Sequence, residues 1–205
     1  MPTGVAIRDV RGQLFDAAER VLLRDGPSAL TSRAVTTEAG CAKGVLHRHF
    51  ADFDAFLAAL VQDRIARVEA VAADLRASAG TGTVAGLLTR ALLDLFEPVA
   101  VAVVSLVTSR DGLRARLREV RPAGVPVLTD AATALASYLA TERELGRIAA
   151  DADVDTLAPT LIGAVHMLFA DRQAPPETAD VGRVVTAVVA GVVGPSTANG
   201  PSASG

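Results

Sequence analysis

Residues 39–50 read AGCAKGVLHRHF. The segment holds the only lysine in the chain and two of its three histidines. It reads either as a helix that meets DNA or as a short apolar helix that carries two histidines. Leu46 and Phe50 stand four residues apart and would share the inward face of a helix. Lys43, Gly44, Val45, His47 and Arg48 then fall on the outward arc, with His49 near its edge. Two histidines at i and i+2 point about 200° apart on a helix, which makes them a poor metal pair. The flanking sequence decides between the two readings.

Upstream, VRGQLFDAAERVLLRDG (10–26) places Val10, Leu14, Ala17, Ala18, Val21 and Leu22 at three- and four-residue steps. That is an amphipathic helix, ended by Gly26-Pro27. Thr31 then suits an N-cap for SRAVTTEA, which runs into Gly40. Three helices in about 50 residues, the last two parted by a short glycine-containing turn, are the pattern of a helix-turn-helix.

Downstream, Asp52 is a new cap. A long helix from Asp54 carries Phe56, Leu57, Leu60, Val61, Ile65, Val68, Ala72 and Leu75 on its apolar side. AGTGT (79–83) breaks it, and VAGLLTRALLDLF (84–96) follows up to Pro98. VAVAVVSLVT (99–108) is β-branched enough for a strand; with no hairpin signal nearby, helix is expected. Further helices are expected in RDGLRARLREVR (110–121), LTDAATALASYLATERELG (128–146), DVDTLAPTLIGAVHMLFAD (153–171) and TADVGRVVTAVVAGVV (178–193), the last two joined by RQAPPE. The fold class is all-α. The organisation expected is a helix-turn-helix domain at 1–53, a larger helical domain at 54–194, and a disordered Gly/Ser/Pro tail at 195–205.

Composition agrees with a folded helical chain: half the 205 residues are hydrophobic, mostly Ala, Leu and Val, and 21% are charged. The single Cys41 excludes an internal disulfide and fits a reducing, cytoplasmic setting. No segment reaches the roughly 18–20 uninterrupted apolar residues of a membrane span. The net charge of −3 divides unevenly, +2 over residues 1–50 and −5 over the remainder. Its direction suits an N-terminal region that meets a polyanion, and ordinary surface scatter explains it equally well.

From LFDAAERVL, through SALTSRAVTTEAG and GVLHRHF, to FDAFLAAL, the sequence resembles the tetracycline-repressor (TetR-like) family of transcriptional regulators. The resemblance covers about Val10 to Leu60. It implies a homodimer on double-stranded DNA, at a palindromic operator, with a small-molecule effector bound by the C-terminal helices. It also implies that Lys43, Gly44, Val45, His47, Arg48 and His49 face DNA while Thr31 and Arg33 hold its backbone. The chain departs from the family pattern at Ala42 (usually polar), Val45 (usually threonine), His47 (usually tyrosine) and Phe53 (usually a phosphate-holding lysine). Fewer phosphate contacts and a shallower salt dependence are therefore expected.

Between Val84 and Tyr138 the polar residues Arg90, Ser105, Thr108, Thr133 and Tyr138 stand among many Ala, Val and Leu, as candidate anchors for a hydrophobic or amphipathic ligand. His166 is either a core histidine or a further anchor. The last two helices are apolar around most of their girth. A dimer face made of Leu157, Leu161, Val165, Leu168, Val184, Ala187, Val188 and Gly191 would cover them, as would a single monomer core. DADVD (151–155) lacks the glycine and glutamate of a calcium loop and reads as helix-capping aspartates. No nucleophile–base pair, metal-ligand spacing or phosphate loop is present, so neither an enzyme nor a cofactor is expected. The alternative to a regulator is a protein-interaction module that kept the helix-turn-helix and lost DNA.

Overall fold

The computed structural model describes residues 9–121, 124–170 and 175–193. Ten α-helices and one 3-10 turn follow in chain order among these residues: α1 Val10–Asp25, the turn Pro27–Ala29, α2 Ser32–Glu38, α3 Gly44–His49 and α4 Phe53–Ala77. Then come α5 Val84–Leu95, α6 Pro98–Ser109, α7 Asp111–Val120, α8 Leu128–Glu144, α9 Val154–Ala170 and α10 Thr178–Val189. The only β-type pairing among the described residues is an isolated bridge between Ile148 and Val193. The expected tail, and the first half of the RQAPPE turn, lie outside the described residues.

The ambiguous segment 99–108 is helical. Pro98 opens α6 at a position where its missing N–H costs nothing, and Ala100, Val103, Val104, Leu106 and Val107 turn inward at helical spacing. The long helix starts at Phe53, one residue earlier than expected. Asp52 Oδ1 accepts the Ala55 amide at 2.6 Å and so caps α4 from just outside it.

The chain divides into two compact units. The first comprises residues up to Glu69 together with Phe96–Asp130. Its core takes Leu14, Phe15, Val21 and Leu22 from α1, Val35 from α2, Leu46 from α3, and Phe56, Leu57, Leu60 and Val61 from α4, all buried. An aromatic cluster fixes the corner: Phe15, Phe50 and Phe56 have centroids 5.1–6.0 Å apart, and Phe53 stacks on Phe56 at 5.7 Å. Such pairs add about 0.5–1.5 kcal/mol each beyond the burial of their area.

The second unit comprises Ala70–Leu95 and the residues from Ala131 onward. Here α10 packs on α5 and α9, with Val181, Val185 and Val189 buried. Glu142 is fully buried at the end of α8. Its Oε1 accepts the Gly80 amide at 3.2 Å, and its Oε2 lies 3.3 Å from Arg147 Nε. Arg147 in turn donates to the carbonyls of Thr81 and Gly82 at 3.0 and 2.6 Å. One acid and one arginine thereby fasten the α4–α5 link to the end of α8.

Candidate DNA-binding site

The helix-turn-helix is built from short-range rules. The Thr31 side chain accepts the Ala34 amide at 3.1 Å and caps α2 as its sequence position predicts. At the far end Gly40 adopts φ +65°, a left-handed conformation that a side chain would strain. The Gly40 and Cys41 amides close that end on the carbonyls of Thr37 and Thr36. The chain reverses there and starts α3, a helix of six residues.

α3 is held by two side chains. Leu46 is fully buried and Phe50 is 6% exposed. Phe50 meets Phe15 and Phe56, and the Arg11 guanidinium lies 4.6 Å from its ring centroid. With that stripe turned inward, Lys43, Gly44, His47, Arg48 and His49 are exposed, and Val45 is half-buried at the start of the helix. Thr31 and Arg33 are exposed at the start of α2. All eight residues expected to face DNA therefore have solvent access on one short stretch of chain.

The electrostatics of this face depend on one acid. Between Thr31 and Phe50 the sequence holds Arg33, Lys43 and Arg48 against Glu38 alone. Glu38 Oε1 accepts from Arg20 Nε and its Oε2 from Arg24 Nη1, both at 2.8 Å. These hydrogen bonds hold its carboxyl below the ordinary range, Arg20 contributing most. The one carboxylate on α2–α3 is thus neutralised from α1, while Arg33, Lys43 and Arg48 enter no ion pair among the described residues. What remains is a small cationic surface with the two imidazoles of His47 and His49 beside it.

The expected ligand residues are not gathered in the same way. Ser105 and Thr108 belong to the first unit, Arg90, Thr133, Tyr138 and His166 to the second. Arg90, Ser105, Thr108 and Thr133 are exposed, and Thr108 turns its hydroxyl back to the Val104 carbonyl. Tyr138 is fully buried beside Glu142, and burial pushes its phenol above the ordinary value of 10. His166 is half-buried. A hollow of about 710 Å³ in the second unit is an open groove between α5 and α10 lined by Ala85, Gly86, Thr89, Gly182, Thr186 and Ala187. None of the six expected ligand residues lines it.

The residues of the expected dimer face divide by exposure. Leu161 and Val165 are fully buried in the chain's own core, with Ala158 and Ile162 completing that stripe of α9. An all-round apolar helix does not reveal which stripe the monomer covers, and here it covers this one. Leu157, Leu168, Val184 and Val188 are half-buried, and Ala187 and Gly191 are exposed. Met167, 69% exposed on α9, was not anticipated. DADVD behaves as expected: Asp153 accepts the Thr156 amide and hydroxyl at 3.1 and 2.6 Å and caps α9.

Arg64 carried no sequence signal. It is 2% exposed on α4, and its Nη1 donates to Glu97 Oε1 at 2.6 Å. Its Nε and Nη2 find no acceptor among the described residues.

Residues 14–60 match the model of the bacterial regulatory proteins of the tetR family. No curated protein sequence matches the chain significantly. Among solved structures, the transcriptional regulator FadR from Bacillus subtilis, in complex with stearoyl-CoA, is similar at TM-score 0.66 and 18% identity, over 88% of this chain and 98% of that one. A γ-butyrolactone receptor (ArpA-like protein) is similar at TM-score 0.61 and 24% identity, over 89% and 87% of the two chains. A TetR-family regulator from Mesorhizobium loti gives 0.64 and 17%, over 89% and 96%. The chain is therefore TetR-like: a tetR-family N-terminal helix-turn-helix at residues 14–60, on a body with the all-helical fold of these regulators.

Proposed function

We propose that the protein is a homodimeric transcriptional regulator, acting in the cytoplasm as a repressor that a small hydrophobic or amphipathic molecule releases from a palindromic operator. The observation that carries this reading is the α3 surface. Leu46 and Phe50 are buried while Lys43, His47, Arg48 and His49 are exposed, and the single nearby acid is already paired. A helix so presented meets base edges and phosphates in a major groove, with Lys43, Gly44, Val45, His47, Arg48 and His49 at the groove and Thr31 and Arg33 at the backbone. Residues 1–53 are the head in this proposal, and 54–194 form the effector and dimer region.

Dimerisation would use Leu157, Leu168, Val184, Ala187, Val188 and Gly191, which two copies could cover together. Two heads about 34–36 Å apart reach successive major grooves, so a modest change in spacing breaks simultaneous contact. An effector acts by binding the arrangement that cannot span both half-sites more tightly than the one that can. That a neighbour of the same fold is complexed with stearoyl-CoA favours an amphipathic effector, with Tyr138 and His166 as the candidates nearest the core.

The test is selection of binding sites from fragmented genomic DNA of the source organism, repeated with Lys43→Ala. Recovery of a palindromic site that the variant fails to bind supports the regulator. No enrichment over nonspecific duplex at low salt refutes it and leaves the interaction module, in keeping with the loss of polar groups at Ala42, Val45 and Phe53.

A further inference from the structure

One segment grips the helix-turn-helix at both ends. At the entrance, Arg110 Nη2 donates to the Leu30 carbonyl at 2.5 Å, one residue before the Thr31 cap. At the exit, Arg116 Nη1 donates to Asp52 Oδ1 at 2.7 Å, the same oxygen that caps α4 through Ala55. All eight residues expected to face DNA lie between these two attachment points. Arg110 sits at the junction of α6 and α7, and Arg116 lies on α7 itself. α6 also packs against α1 and against the turn at Pro27–Ala29, so the grip belongs to a continuous contact within the first unit.

Phe53 adds a third contact at the entrance tie. The Arg110 guanidinium lies 5.5 Å from its ring centroid, and the ring stacks on Phe56. The face of an aromatic ring attracts a cation. A lysine at the same position, which the family resemblance implies, would set an ammonium against that guanidinium and repel it. The residue that departs from the family pattern thus exchanges an outward phosphate contact for an inward tie.

We propose that Arg110 and Arg116 form a two-point clamp by which the α6–α7 segment sets the orientation of α2 and α3, so that displacing this segment changes affinity for DNA. The consequence for DNA rests on the regulator reading; the clamp itself does not. A shift of α7 moves Leu30 and Asp52 together and carries the intervening helices with them, whereas loss of either tie lets one end swing.

The experiment is amide hydrogen exchange on the full-length protein carrying Arg110→Ala and Arg116→Ala, alone and combined, with Arg116→Lys as the charge-retaining control. The combined variant should exchange about tenfold faster over residues 31–55, the effect expected when a charge-assisted bond and an exposed ion pair are both lost. Amides of α5 and α10 should be unchanged, and Arg116→Lys should stay near wild type. Unaltered exchange over 31–55 in the combined variant would overturn the clamp. So would a uniform rise across the whole chain, which marks general destabilisation. Binding to a mixed-sequence duplex at low salt gives the second readout: affinity should fall at least several-fold in the combined variant, and equal affinity would overturn the coupling to DNA. A wild-type protein that binds no duplex would overturn the regulator reading alone, because exchange reports the clamp without DNA.

Discussion

Glu142 and Gly80, 62 residues apart in sequence, are joined by a hydrogen bond of 3.2 Å that ends on a carboxylate with no solvent exposure. The acid also faces Arg147, whose own donors hold the Thr81 and Gly82 carbonyls. Removing one partner of a buried ionic group leaves the others desolvated and unmatched. Glu142→Ala should therefore destabilise the fold by about 2–4 kcal/mol, and Glu142→Gln by less, since the amide oxygen can still accept from Gly80. Urea denaturation of the two variants tests this, and equal stability of wild type and Glu142→Ala would refute it.

Glu19 gives a pH signature of the opposite kind to an ordinary ion pair. Burial raises its pKa above the usual 4.5 in spite of Arg64 and Arg67 nearby. The folded chain then holds this proton more tightly than the unfolded chain does. Its contribution to stability is full below pH 4.5 and declines as the pH rises through the folded value. Glu19→Gln should gain stability relative to wild type on going from pH 4 to pH 7. Denaturation midpoints at the two pH values check the sign; a difference that shrinks toward pH 7 contradicts it.

Arg64 is buried with one acceptor, on a partner that is itself half in water. Exchange of such an arginine for an apolar side chain of similar length is commonly neutral or stabilising, while loss of the acceptor strands the charge. Arg64→Met should fall within about 1 kcal/mol of wild type or above it, and Glu97→Ala should cost about 2–3 kcal/mol. Thermal melts that rank the two variants in the reverse order would show that the guanidinium is better satisfied than its geometry implies.

For DNA, Lys43→Ala and Arg48→Ala differ in kind from changes at Thr31. Each cation removed from a phosphate contact should reduce the slope of log affinity against log salt by about 1. Thr31→Ala should cost the fold about 1 kcal/mol through its lost cap. Salt titrations of the three variants separate these effects. A slope unchanged in both Lys43→Ala and Arg48→Ala would exclude these side chains from the phosphate interface.

Local rules made most of the architecture legible. The Thr31 cap, the Gly40 turn, the Leu46–Phe50 stripe and the Asp153 cap each involve residues three or four apart, and each is found where the spacing predicts it. Ties across long sequence distances left no periodic trace. Arg110 reaches Leu30 across 80 residues and Arg116 reaches Asp52 across 64. Nor did composition distinguish Leu161, which the monomer buries, from Leu157, which it half-exposes, because both are leucines on the same apolar helix. Phe53 was legible only as a departure; its use became visible once the Arg110 guanidinium lay over its ring.

The pairing of Glu38 with Arg20 and Arg24 has a consequence for inheritance. A descendant that lost both arginines but kept the glutamate would turn a bare carboxylate toward the helix-turn-helix face. One that lost the glutamate first could shed the arginines at leisure. The order of substitution is constrained even though no single position is, and positions 20, 24 and 38 should drift through related chains as a linked set, with the acid the first of the three to go.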